Sequence, residues 1–190
     1  MNLILFGPPG AGKGTQAKHL VKKLNNFQIS TGEILRDEIQ KNSEIGKRIV
    51  NDMNDGKFVS DQIVNSLIEK ILHDPQKKNR LIFDGYPRNL TQAKNLENLT
   101  KKYDQKIDIV LKLSVSLESI KKRILERKNL EKRADDNSEI AIKRYKTYES
   151  NIKPVIEFYK QSDLLKEVNG EASISEISDE ISGLIDSIKG

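Results

Sequence analysis

The stretch GPPGAGKGT, Gly7 to Thr15, follows one short apolar run, LILF, and precedes TQAKHLVKKL, whose Ala17, Leu20, Val21 and Leu24 fall on one helical face. A glycine-rich turn between a strand and a helix points successive backbone N–H groups into one concavity, where the helix N-terminus adds partial positive charge. The pattern is that of a phosphate-binding loop, G-x-x-x-x-G-K-[ST], with one departure. Gly14 stands where a hydroxyl is expected after Lys13, and Thr15 follows one place late. Gly10, Ala11, Gly12, Lys13, Gly14 and Thr15 are thus candidates to hold a phosphate chain. A plain turn with a surface lysine would not need the glycines, the lysine and both flanks in register. The loop leaves the acceptor open, because motor ATPases, switch GTPases and small-molecule kinases all use one.

Further apolar runs compatible with buried strands are LIFD (81–84) and IDIVLKLSV (107–115), with shorter candidates in FQIS and LLKEV. Between them lie helix-period segments. After Ser60 and Asp61, which can cap, Ile63, Val64, Leu67, Ile68, Ile71 and Leu72 make one stripe; after Ser116, Leu117, Ile120, Ile124 and Leu125 make another. Strands alternating with helices predict a three-layer α/β domain whose parallel sheet is covered on both faces. Ile174, Ile177, Ile181, Leu184, Ile185 and Ile188 predict a last helix with a core role only, and Pro154 predicts a kink or a helix restart within 137–159. Two stretches do not read as sheet or sheet cover. Residues 30–59 hold two short helical patterns, with Gly56 placed to end the second, and RKNLEKRADD (127–136) is too charged for core. Both are candidates for projecting, moving pieces.

With 190 residues, one domain is expected. The chain has no cysteine, which excludes a disulfide framework and a thiolate zinc site and fits a reducing compartment. No secretory signal and no membrane-spanning run are read, so a cytoplasmic location without a membrane partner is expected. The formal charge of +5 invites a nucleic-acid reading, but its lysines lie among acids and amides, and aromatic residues are scarce. A solvated basic surface is the expectation.

LIFDGYPRNLTQ narrows the chemistry. Asp84 ends a buried strand, where open α/β sheets bind ligands, and a carboxylate there can hold magnesium directly or through water; otherwise it merely caps the turn. Gly85 lets the backbone turn, Pro87 stiffens it, and Arg88 emerges on the same rim, where a guanidinium can grip phosphate bidentately.

Taken together, GPPGAGKGTQ, STGEILR, LIFDGYPRNLTQ and KRADD resemble the nucleoside monophosphate kinase family, and within it the adenylate kinases, from Asn2 to the C-terminal helix. The resemblance implies a P-loop NTPase fold with a five-stranded parallel sheet in the core (1–29, 60–125 and 137–190), an inserted nucleoside-monophosphate-binding arm (30–59) and a short lid (126–136). It implies that Thr31 and Arg36 hold AMP, that Lys57, Phe58 and Val59 contact its adenosine, and that Gly85, Tyr86, Pro87 and Arg88 form the contact after the third strand. Gln92 matches the glutamine that reads the adenine edge, chemically apt because a carboxamide both donates and accepts. UMP/CMP kinases usually carry SAG for STG and Asn for Gln92, so Thr31 and Gln92 favour AMP. Glu33 for the usual Asp and Tyr86 for the usual Phe are close replacements.

Arg123 and Arg127, at i and i+4, share a helix face. They resemble the lid-hinge arginines on the ATP side. Arg133 and Arg144 resemble those bridging the two phosphate chains, with Asp135 and Asp136 orienting them. Ala172, in VNGEAS, matches a backbone contact to the ATP adenine. The K-G-T order is the family's form, pointing away from switch GTPases. Lys13, Arg88, Arg127, Arg133 and Arg144 are the expected catalytic residues for MgATP plus AMP giving two ADP, with Asp84 in the water shell of Mg2+ and no zinc. The expected partners are ATP, AMP and ADP on a monomer, with neither nucleic acid nor membrane. A UMP/CMP kinase is the alternative within this class, and an RNA-stimulated P-loop ATPase is the one outside it.

Overall fold

A computed structural model describes residues 1–131 and 138–189. Five parallel strands form one sheet: β1 (Leu3–Phe6), β2 (Phe27–Ser30), β3 (Leu81–Asp84), β4 (Ile109–Ser114) and β5 (Leu165–Asn169), in the spatial order β2-β3-β1-β4-β5. All four residues of β1 and of β3 are buried, because helices cover both faces of a parallel sheet and leave no polar side. Alternation then sorts the strand side chains. Leu3, Leu5, Ile82, Ile109, Leu111 and Leu113 meet α1 (Lys13–Leu24) and α8 (Ile174–Lys189) on one face. Ile4, Phe6, Leu81, Phe83 and Val110 meet α4 (Asp61–Leu72), α5 (Leu90–Lys102) and α7 (Ser138–Gln161) on the other. Each fully buried aliphatic side chain contributes roughly 1.5–3 kcal/mol, so the two faces anchor the sheet from both sides.

The order places β1 between β3 and β4, so its successor and the segment after β3 leave the sheet side by side. The register brings Leu5 opposite Asp84, and Ser30 of β2 opposite the same Asp84. This is the crevice at the carboxyl ends of the strands where open α/β sheets take their ligands.

Between β2 and α4 the chain forms α2 (Thr31–Gln40) and α3 (Glu44–Asn54). Ser30 and Ser43 accept from the backbone N–H groups of Glu33 and Gly46, capping these helices. The helices approach backbone to backbone, since a Cβ on Gly46 would lie 2.1 Å from the Glu38 carbonyl oxygen. Gly56, at φ +71°, ends the segment after α3.

Three sequence expectations are modified. The charged run from Arg127 continues α6 (Leu117–Glu131) as helix up to Glu131, because Lys, Arg, Leu and Glu are all strong helix formers. Pro154 causes no restart, and α7 runs through it. The helical hydrogen bond that proline removes is offset by Ile152, Val155 and Tyr159, which bury that face against the core. Ser60 makes no side-chain cap to α4. On α6, Ile120 and Ile124 pack with Ala141 in a small separate cluster, whereas Leu117 and Leu125 are exposed.

Gly46→Ala is expected to force α2 and α3 apart and to destabilise the protein by about 1–3 kcal/mol, the usual cost of overpacking. Urea unfolding curves of the variant and the parent protein measure it.

Candidate active site

One cavity of about 580 Å³ runs along the carboxyl ends of β1 and β3, lined on one side by the glycine loop and on the other by residues of α2, the segment after α3 and α7. At the loop, Gly10 has φ +86° and Gly12 has φ +94°, conformations L side chains rarely adopt. Gly10 is also the packing point of α6, because a Cβ there would stand 3.0 Å from Ile124. Gly12 caps α1, which opens at Lys13 with no acid in its first turn, so its N-terminal N–H groups face no neighbouring carboxylate of their own helix. The Lys13 ammonium donates to the carbonyls of Gly7 at 2.8 Å and Pro8 at 3.1 Å, curling over the loop. Thr15 also lines the cavity.

Arg123 reaches from α6 across this side. It donates to the Ala11 carbonyl at 3.3 Å and to the Gly170 carbonyl at 2.8 Å, tying the loop to the turn between β5 and α8. That turn is held again by Glu171, whose carboxylate accepts from the Ser116 N–H and the Ser119 hydroxyl, each at 2.6 Å. These bonds, the Ser119 hydroxyl first, hold the Glu171 carboxyl down at about 2, with Arg123 adding a smaller attraction. Ala172, Ile174 and Ile177 line the cavity beside it. Gln16 of α1 donates its amide to the Ile174 carbonyl at 3.1 Å, while its Oε1 is buried without a partner.

The opposite side is cationic. Arg88 donates through Nε to the Gly85 carbonyl at 2.7 Å, and its guanidinium lies 5.2 Å from the centre of the Phe58 ring. Thr31 donates its hydroxyl to the same Gly85 carbonyl at 2.8 Å. Burial lowers the Arg88 pKa to about 10, helped by the positive charges of Arg144 and Arg36 and opposed by Asp84. Arg88 stays protonated at neutral pH, and its neighbours' effect shows that guanidiniums from α2, α7 and the segment after β3 converge. Asp84 itself is buried, lines the cavity and accepts through Oδ2 from the Gln28 amide at 3.0 Å. The position a Cβ of Gly14 would take is 3.8 Å from that same oxygen. The residue in the hydroxyl's usual slot therefore lies at van der Waals distance from Asp84.

Of the residues singled out from the sequence, Gly10 to Thr15, Arg36, Lys57, Phe58, Asp84, Gly85, Pro87, Arg88, Arg123, Arg144 and Ala172 line this one cavity. Thr31, Val59, Tyr86 and Gln92 are buried one step behind its wall. The Arg127 side chain, Arg133, Asp135 and Asp136 lie outside the described residues. Sequence reasoning missed Gln16, Tyr148, Ile152 and Ile174 as cavity residues. Ile174 sat in an apolar stripe and read as core. Tyr148 follows Arg144 by one helical turn, a spacing that could have flagged it; its buried hydroxyl has no hydrogen-bond partner.

Among the described residues no three His, Asp or Glu side chains gather as a metal cage. The Asp84 carboxylate beside the glycine loop fits a hydrated magnesium ion bound chiefly by phosphate oxygens. No described helix is long and apolar enough to cross a membrane.

The family model described as adenylate kinase matches residues 5–164. An adenylate kinase of Pelagibacter ubique is 44% identical over 97% of this chain and 99% of its own length. Adenylate kinases of a Caulobacter species (strain K31) and of Archaeoglobus fulgidus are 40% and 35% identical, over 95% and 100% of this chain and 96% and 100% of their own lengths. The first alignment spans 211 positions, more than this chain's 190 residues, so that relative carries segments this chain lacks.

The Glu171 clasp gives a pH test. Its folded pKa of about 2 lies below the ordinary value of 4.5, so its contribution to stability is complete above about pH 4.5 and is lost as pH falls through about 2. The difference in Tm between the parent protein and Glu171→Gln is expected to shrink over that window, as followed by thermal denaturation at stepped pH.

Proposed function

We propose that this chain, which belongs to the adenylate kinase family, transfers a phosphoryl group reversibly between MgATP and AMP to give two ADP. The observation that carries the reading is the division of one cavity into a glycine-loop half and a half where Arg36, Arg88 and Arg144 converge. One half suits a phosphate chain cradled by backbone N–H groups and a lysine. The other suits a second phosphate gripped by guanidiniums.

In this reading Lys13 and the loop from Gly10 to Thr15 hold the donor phosphates. Arg123 and the turn bearing Ala172 set the donor nucleoside, with Ile174 offering apolar surface to its base. Arg36 and Arg88 fix the AMP phosphate, while Thr31, Lys57, Phe58, Val59, Gly85, Tyr86, Pro87 and Gln92 form the acceptor nucleoside site. Arg144, with Arg127 and Arg133, neutralises the group in transit. An AMP phosphate oxygen forms a bond to the terminal phosphorus of ATP as the bond to the bridging oxygen breaks and ADP leaves. The AMP phosphate is mostly dianionic near neutral pH, so no strong base is required, and catalysis is alignment and charge stabilisation. Asp84 would hold magnesium through water, and the ion when bound supplies charge neutralisation along the donor phosphates.

Residues 30–59 act as an arm and 126–136 as a short lid that exclude water, the competing acceptor; lid closure in adenylate kinase is a standard example of this gating. Both halves of the site come from one chain, so a monomer suffices, and cytoplasmic nucleotides are its only partners. An RNA-stimulated ATPase would have no use for the arginine half. A UMP/CMP kinase would not favour Thr31 with Gln92.

A coupled assay is expected to detect ADP only when MgATP and AMP are both present, with CMP and UMP poorer acceptors. Arg88→Ala is expected to lower turnover by at least about tenfold while circular dichroism shows a folded protein. Near-normal turnover in that folded variant would sink the assignment of Arg88.

A further inference from the structure

Asp61 opens α4 directly after the arm, yet its carboxylate turns away from its own helix and across to α5. It accepts from the Gln92 side-chain amide through Oδ1 at 2.7 Å, and from the Asn89 amide at 2.9 Å through Oδ1 and 3.1 Å through Oδ2. The Gln92 side-chain oxygen in turn accepts from the Arg88 backbone N–H at 2.8 Å, and the Gln92 backbone N–H donates to the Asn89 side-chain oxygen at 2.8 Å. Gln92 and the backbone behind Arg88 are thereby fixed to the first residue of α4, two positions past the arm.

The polarity of this network has one solution. A carboxylate only accepts and a backbone N–H only donates. Turning the Gln92 carboxamide over would set its oxygen against the Asp61 carboxylate and its NH2 against the Arg88 N–H. Two positions on the carboxamide remain: one oxygen lone pair and one amide hydrogen.

We propose that Asp61 is a specificity-determining positioning residue, which holds Gln92 in the single orientation that matches a base edge carrying an amino donor beside a ring-nitrogen acceptor. The proposal rests on the reading that Gln92, buried behind the cavity wall in this structure, meets the acceptor base when AMP is bound. Adenine presents that edge with its 6-amino group and N1. Hypoxanthine presents the inverse, a carbonyl acceptor beside a ring N–H, and meets the fixed carboxamide oxygen to oxygen and N–H to N–H. Cytosine presents the same order as adenine, so this device does not separate AMP from CMP, and pocket size must do so. Asp61 thus links the end of the arm, the base-reading amide and the backbone of a phosphate-gripping arginine through two residues.

The test compares kcat/KM for AMP, IMP and CMP, with MgATP as donor, in the parent protein and in Asp61→Ala, Asp61→Asn and Gln92→Ala. Asp61→Ala is expected to lower the AMP-to-IMP ratio at least about tenfold, the factor one charge-assisted hydrogen bond carries, while the AMP-to-CMP ratio moves much less. Asp61→Asn, which adds a donor where two donors already point, is expected to lower the same ratio and serves if the alanine variant does not fold. A ratio that collapses in Gln92→Ala but holds in a folded Asp61 variant overturns the assignment of Asp61 alone. A parallel loss for all three acceptors also overturns it, leaving Asp61 a structural tie. A ratio unmoved by Gln92→Ala overturns the base-reading role of Gln92 and this proposal with it. Failure of the parent protein to phosphorylate AMP takes down the proposed function itself.

Discussion

The site depends on β1 being paired on both edges. Leu3 stands opposite Ile82 of β3 on one side and Ile109 of β4 on the other, and all three side chains are buried without measurable exposure. A central parallel strand with both edges hydrogen-bonded and both faces covered has no freedom to slide, because a one-residue slip would send every side chain to the wrong face. The loop after Phe6 is therefore delivered to a fixed point. Asp84 reaches the same point because β3 is the neighbouring strand and ends in register with Leu5. Hydrophobic burial in the sheet sets the distance between the glycine loop and a carboxylate.

Charge decides what the cavity can accept. The loop side offers backbone N–H groups, a helix N-terminus and one lysine, a combination suited to an extended phosphate chain. The other side gathers guanidiniums from α2, α7 and the segment after β3, close enough to lower the affinity of Arg88 for its own proton. Like charges held together cost free energy, and an anion placed among them offsets that cost. The arginine side is thus suited to an anion. Asp84 opposes this only in part, which leaves the balance positive.

The elements carrying these charges are joined by contacts with little slack. Gly56 sits against α7, where a Cβ would stand 3.1 Å from Arg144, so the end of the segment after α3 and a cavity-lining arginine share one surface. Val59 is buried among the core residues, and Asp61, two positions on, is bonded to Gln92 and Asn89. This segment thus meets Arg144 through packing and the backbone of Arg88 through a hydrogen-bonded amide. The donor side has its own clasp in Arg123 and Glu171, made from α6 and the turn after β5. These two sets of bonds share no residue.

Much was legible in the sequence because local periodicity and glycine placement are local properties. The strand runs, the loop, the amphipathic stripes of α4 and α8, and the acidic and basic residues flanking Gly85 could all be read from spacing. Spacing misjudged what depends on neighbours remote in the chain. Ser60 and Asp61 looked like caps for α4, but Asp61 found better donors on α5. Ile174 looked like core, but it stands 56% exposed and lines the cavity because α8 begins at the crevice. Pro154 pointed to a kink or a restart, and a buried apolar face carried the helix through it without a restart. By itself the sequence determined that a glycine turn joins a strand to a helix at Gly7 to Thr15 and that strands and helices alternate, since both follow from backbone conformation and side-chain period. Only the tertiary structure decided that Arg36, Arg88 and Arg144, far apart in the chain, converge on one cavity, and which way the Gln92 amide faces. Those outcomes follow from strand order and from hydrogen-bond polarity across elements, which no local pattern records.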